Sequence, residues 1–221
     1  MDKQPKHNFS YAYDLTGSTV PAVRQFDIAT GTAIEAGEAV QLSEGRVIAT
    51  SGDTSAILGV AKDPHDGATA GQTGTRIAVY VSPTAVFRAI PATTFTADVS
   101  SGSNVIYCTA LAGVENDALN GGYVKILTCA VSAHIGQVIR ITDFVKSSGV
   151  ITVAGTFAVT TTTFLVFPPV GSQAFALDSD GTNLDLADDA GTIITVVATE
   201  PASTEAVDVV FCEHVFANAK S

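Results

Sequence analysis

The sequence predicts an all-β protein: a small, tulip-like β-barrel followed by a second, β-sandwich-like domain, with an extended N-terminal arm ahead of both. Three observations carry that expectation. Short runs of Val, Ile, Thr and Phe are separated by Gly, Asp, Asn and Ser at roughly 8- to 12-residue intervals, the spacing of sandwiches and barrels. Helical periodicity is nearly absent. Finally, 46% of the 221 residues are hydrophobic and only 15% charged, enough apolar surface for one large or two small cores and too much for a disordered chain.

Residues 1–20 form the arm. Phe9, Tyr11 and Tyr13 stand at i, i+2 and i+4, which on a regular strand puts all three on one face, with Lys3 and Lys6 just upstream. A lone strand cannot bury such a face. The arm therefore packs back on the barrel, is donated to another chain by strand addition, or stays a flexible tail. Residues 21–92 read as the barrel, with strands near Ala22–Ile28, Ala39–Leu42, Arg46–Ala49, Ile57–Ala61, Arg76–Val81 and Ala85–Ile90, separated by Gly- and Asp-rich turns. Residues 93–119 are a linker or a hairpin completing the barrel, with a strand candidate at Asn104–Ala110. Residues 120–221 make the second domain, with strands expected at Tyr123–Leu127, Gln137–Thr142, Val150–Val153, Phe164–Phe167, Ser172–Leu177, Ile193–Ala198 and Val207–Val215. Phe164-Leu165-Val166-Phe167 is continuously apolar, hence covered on both faces.

Charge and motifs narrow the function classes. Lys and Arg number 11 against 22 Asp and Glu, giving a net charge of −11 that disfavours a general nucleic-acid binder. The acidity is concentrated in the second half of the chain. No apolar run is long enough for a membrane span, and the first residues lack the apolar core of a secretory signal. Cys108, Cys129 and Cys212 are odd in number and sit among apolar neighbours, as buried thiols of a chain folded in a reducing cytoplasm do. His7, His65, His134 and His214 belong to no metal-binding or protease pattern, and neither a nucleophile elbow nor a phosphate loop occurs, so no enzyme, catalytic residue or cofactor is expected. One acidic segment has alternating oxygen ligands: Asp178, Asp180, Asn183 and Asp185 form a weak calcium candidate. It lacks the closing bidentate Glu, has its Gly two positions early, and reads equally as a hairpin turn.

The succession Ala36-Gly37-Glu38-Ala39-Val40-Gln41-Leu42, Gly45-Arg46-Val47-Ile48, Ala56-Ile57-Leu58-Gly59-Val60-Ala61 and Thr75-Arg76-Ile77-Ala78-Val79-Tyr80 resembles the small β-barrel cement, or decoration, proteins of tailed-bacteriophage capsids. The resemblance covers residues 20–90; the second domain departs from the short members of that family. It implies a homotrimeric structural protein on the outer capsid surface of a virion, stabilising the shell by bridging neighbouring major capsid protein subunits. In that setting Phe9, Tyr11, Tyr13, Lys3 and Lys6 of the arm become the expected interface. No nucleic acid or membrane partner is implied. Two other readings fit an acidic β-rich chain: a carbohydrate-binding adhesive module, for which the absence of Trp removes the usual sugar-stacking platform, and a tail-tube or fibre component.

Overall fold

The protein is all-β. A computed structural model describes residues 9–50, 56–66, 75–89, 91, 93–98, 103–156, 162–173, 176–178, 181–187, 194–202 and 205–212. Helical structure among them is limited to single 3-10 turns at Thr109–Leu111, Ser132–His134 and Lys146–Ser148. The chain divides into two compact units, the first made of Met1–Ile90, Leu177–Leu184 and Asp208–Ser221, the second of Pro91–Ala176 and Asp185–Val207.

In the first unit, β2 (Val23–Asp27), β3 (Ala39–Ser43), β4 (Arg46–Ala49), β5 (Ile57–Ala61) and β6 (Arg76–Tyr80) form one sheet in the order β2-β6-β5-β3-β4. It curls until Ile28, one residue past β2, bridges Val47 of the far strand β4. Inside the curl lie Ile28, Ile34, Val40, Val47, Leu58, Ala61, Ile77, Val79 and Val81, with Phe26, Leu42 and Ala49 packed against them.

Strand β5, Ile-Leu-Gly-Val-Ala, is buried along its whole length. Pairing to β3 steps from Val40–Gly59 to Gln41–Ile57, so β5 holds one extra residue. That bulge breaks the alternation and lets Leu58 and Ala61, three apart, both enter the interior. Gly59 is required there: a Cβ would lie 1.8 Å from the Tyr80 carbonyl oxygen.

One strand lies elsewhere than the sequence predicts, and the arm takes one of the courses expected of it. The arm is not free: β1 (Ser10–Asp14) pairs antiparallel with β7 (Ala85–Ala89), in a sheet ordered β1-β7-β17-β16, where β16 is Ile194–Glu200 and β17 is Ala206–Phe211. β7 therefore leaves the curled sheet that its position in sequence suggested. The unit boundary falls inside β17, so Asp208 and Phe211 belong to the first unit, not to a domain running from residue 120 to the end.

Aromatic rings hold this sheet to β6. Phe9 meets Phe211 edge-on at 5.4 Å, Phe211 meets Phe87 at 5.6 Å, and Tyr11 stacks on Tyr80 at 5.2 Å. Phe9, Phe87 and Phe211 are buried; each contributes about 1.5–3 kcal/mol by burial, with further gains from ring geometry. Arg88 on β7 donates from Nε and Nη2 to the two oxygens of buried Asp208 on β17, at 2.8 and 3.1 Å.

In the second unit, β8 (Phe95–Thr96), β9 (Val105–Tyr107), β10 (Tyr123–Thr128), β11 (Val138–Val145), β12 (Val150–Val153) and β13 (Thr163–Phe167) form a sheet ordered β8-β13-β10-β11-β12-β9. The sheet bends back on itself. The Asp98 N–H, just after β8, donates to the Tyr107 carbonyl of β9 at 2.7 Å, joining the two edges. Residues 93–119 thus supply both edge strands of this unit and do not complete the first. Phe164–Phe167 is buried throughout, as its apolar run predicts. Of the strand expected at Ser172–Leu177, the described residues keep only Ala176–Leu177, which is β14. Ser172 instead bonds through its backbone to Val196 of β16.

Candidate docking surface

The functional candidates of the arm separate once it is a strand. Tyr11 opposes Phe87 and Tyr13 opposes Val86, so Ala12 is an extra residue in β1. The bulge turns Tyr13 away from the face that Phe9 and Tyr11 share. Phe9 is 3% exposed and packs inside the first unit, and the Tyr11 hydroxyl is buried with no hydrogen-bond partner among the described residues. Burial, with Asp14 and Tyr80 nearby, pushes that phenol up from its ordinary value. Only Tyr13, 41% exposed, is left facing out. The expectation of three aromatics on one docking face is therefore corrected: Phe9 is core, Tyr11 is half-buried against Tyr80 and Phe87, and Tyr13 faces away from both. Lys3 and Lys6 lie outside the described residues.

Asp14 fixes the end of the arm. Its Oδ1 accepts from the Thr16 N–H (2.9 Å), the Thr16 hydroxyl (2.6 Å) and the Thr84 hydroxyl (2.8 Å), and its Oδ2 accepts from the Ser82 hydroxyl (2.6 Å). Burial by itself would raise this carboxyl; the bonds from Ser82, Thr16 and Thr84 outweigh it and hold Asp14 well below the usual carboxylate range. The Leu15 N–H then donates to the Thr84 carbonyl at 3.0 Å. The chain leaving β1 is thus tied to the turn between β6 and β7.

Along this tied segment large hydrophobic side chains are exposed between the polar Thr16, Ser18 and Thr19. The exposed large hydrophobic residues of the first unit, among those described, are Tyr13, Leu15 and Val20, all within eight positions. The same unit carries a groove of about 570 Å³ lined by Ala22, Arg24, Phe26, Val81 and Pro83 together with the polar Gln25 and Ser82. It opens onto the inside of the curled sheet. Arg24 opposes Val79 and Phe26 opposes Ile77, so both point to the face on which the core lies. Arg24 is exposed where a third apolar residue would have sealed that end. Leu15, Val20 and Arg24 were not singled out from sequence, although Arg24-x-Phe26-x-Ile28 alternates and was the available signal.

The calcium candidate is a turn. Asp178 Oδ1 accepts from the backbone N–H of Thr182 (2.8 Å) and Asn183 (3.0 Å), and Oδ2 from the Asn183 side-chain amide (2.9 Å). Asp185 Oδ1 accepts the Ala187 N–H at 2.8 Å in a separate turn after β15 (Leu184–Asp185). Asp180 lies outside the described residues. The tip docks on the curled sheet, with the Ala39 N–H donating to the Gly181 carbonyl at 2.9 Å. The described oxygens of Asp178 and Asp185 accept from backbone and side-chain N–H groups of these two turns.

A second cavity, about 610 Å³, is bordered by Ile34, Glu35, Glu38, His65 and Asp66. Buried Glu38 accepts the Glu35 N–H at 2.7 Å and so braces the turn into β3. Among the described residues no group of three His, Cys, Asp or Glu is placed to hold a metal. His7 and His214 lie outside them. Cys108 is buried, which pushes its thiol up, whereas Cys212 is exposed, against the expectation of a buried thiol. No helix among the described residues is long and apolar enough to cross a membrane.

Comparison with known proteins finds no match: no family model, no curated protein and no solved structure is similar to this chain.

Proposed function

We propose that this chain is a structural protein that decorates the outside of a viral shell, binding across neighbouring copies of the major capsid protein as the phage cement proteins do. One observation supports it above the rest. The four segments that carry the resemblance are consecutive strands, β3 to β6, of a single curled sheet, and the exposed apolar residues of that unit collect along the segment leading into its first strand. A rigid small barrel with one apolar edge needs no catalytic group to stabilise an assembly. Its binding free energy counts only in the assembled shell, and symmetric copies multiply it.

The docking residues of this proposal differ from those of the sequence alone. Tyr13, Leu15 and Val20 replace the Phe9–Tyr11–Tyr13 triplet, because Phe9 is buried and Tyr11 is half-buried, stacked on Tyr80, within their own unit. The test is rebinding of the purified chain to particles of the parent virus that lack it. Saturable binding and a raised temperature of shell rupture are expected. Replacing Tyr13, Leu15 and Val20 together by Ser is expected to weaken binding about a hundredfold, from lost apolar burial, with the unfolding midpoint unchanged. Shells that take up none of the chain, or rupture at the same temperature with and without it, overturn the proposal.

A further inference from the structure

We propose that the groove at the open end of the curled sheet receives an extended acidic segment of the partner, with one apolar side chain seated against Phe26 and Val81 and one carboxylate on Arg24. That the partner is a shell subunit rests on the decoration reading; the chemistry of the site does not.

At about 570 Å³ the groove is large enough for one or two side chains, and its floor is core: Val81 belongs to the interior cluster and Phe26 packs on it. An apolar side chain entering here extends a core that the protein leaves unsealed. The charge at the rim then selects among apolar segments. Arg76, Arg88, Lys125 and Lys146 each pair with a carboxylate of this chain. Arg24, like Arg46, Lys62 and Arg140, has no ion pair of this kind among the described residues, and of these four it is the one that lines this groove. An unpaired guanidinium beside an apolar floor favours a carboxylate, which it binds through two parallel N–H bonds, and repels basic segments.

The backbone supplies the third element. β2 is an end strand: β6 pairs with it on one side, and on the other the only pairing among the described residues is the Ile28–Val47 bridge beyond its end. Among the described residues no strand covers the edge along Val23–Phe26, and strand addition there aligns an incoming chain and sends alternate side chains towards the groove. Leu15 is bonded through its N–H to Thr84, next to Pro83 of the groove wall, and Val20 stands two residues before Ala22.

The experiment is an NMR titration of the full chain with acetyl-Glu-Phe-Glu-Leu-Glu-amide, and with the same peptide carrying Lys in place of Glu. Shifts confined to Ala22–Asp27 and Val81–Thr84 are expected, with the acidic peptide bound about tenfold more tightly than the basic one. Arg24→Glu is expected to reverse that preference at an unchanged unfolding midpoint, and Arg24→Gln to abolish it should the charge reversal disturb folding. Shifts elsewhere, equal affinities, or a groove filled by a second copy of the chain as concentration rises would each reject the inference. Shells separate the two claims. If they bind Arg24→Glu as well as the native chain, the groove is not the contact and decoration stands; if the peptides behave as expected and shells bind nothing, decoration fails and the groove stands.

Discussion

Asp14 is 7% exposed, and its two oxygens receive three hydroxyls and a backbone N–H. Its folded pKa is lowered, so its stabilisation is complete above the unfolded value of about 3.9 and is lost as pH falls through that value toward the folded one. Asp14→Asn is expected to cost about 2 kcal/mol at pH 6, and the gap between the two proteins in urea melts should narrow as pH drops below about 4. An equal gap at both ends of that range would exclude the carboxylate as the clamp. The neighbouring aromatics show what single residues conceal. The aromatic content of the arm and its extended form were legible in Phe9-x-Tyr11-x-Tyr13, but one extra residue at Ala12 moved Tyr13 to the opposite face. Nothing in the local pattern announces a bulge, since the pairing strand β7 decides it.

Among the strands, those with dense β-branched and apolar runs were legible to within a residue or two: β3, β4, β5, β6, β12 and β13 all lie where turn residues bracket such runs. The short edge strands were not. β8 and β15 hold two residues each and exist because a neighbour offers a ladder, not through their own propensity. β7 was legible as a strand but not as a member of its sheet, because Ala-Val-Phe-Arg-Ala fits either sheet and the choice rests on the aromatic partners it meets, Tyr80 and Phe211. Within β5 the sequence hides a steric demand. Gly59→Ala puts a methyl group on top of the Tyr80 carbonyl oxygen and must part β5 from β6. A loss of more than about 3 kcal/mol is expected, read as a fall in the thermal midpoint. A variant as stable as the native chain would mean that the bulge tolerates a side chain.

For the molecule as a whole, chain order and spatial order diverge. The polypeptide passes between units at 90/91, 176/177, 184/185 and 207/208, so neither unit is one continuous segment. Composition shifts located the first of these boundaries. The later ones depend on where the tip at Gly181 and the ring of Phe211 find partners, which no linear pattern encodes. A fragment of residues 1–92 therefore lacks Asp208 and Phe211, leaving Arg88 without its carboxylate and Phe9 and Phe87 without their covering ring. It is expected to lose the sharp, dispersed amide spectrum of a folded domain; a well-dispersed spectrum would show that the first unit folds without its C-terminal strand. For the same reason, removing the arm is a poor probe of docking, since it strips Phe9 from the core and Tyr11 from its stack on Tyr80.

The placement of β1 and β17 on either side of β7 has a mechanical consequence. A pull applied to the polypeptide before Phe9 and after Phe211 is carried first by the two ladders of β7 and by the Arg88–Asp208 pair that spans one of them. Residues 15–84 and 90–205 lie off this line of force and stay slack until it opens. Tension between the two ends of the chain would thus load three short strands before it stretched anything else.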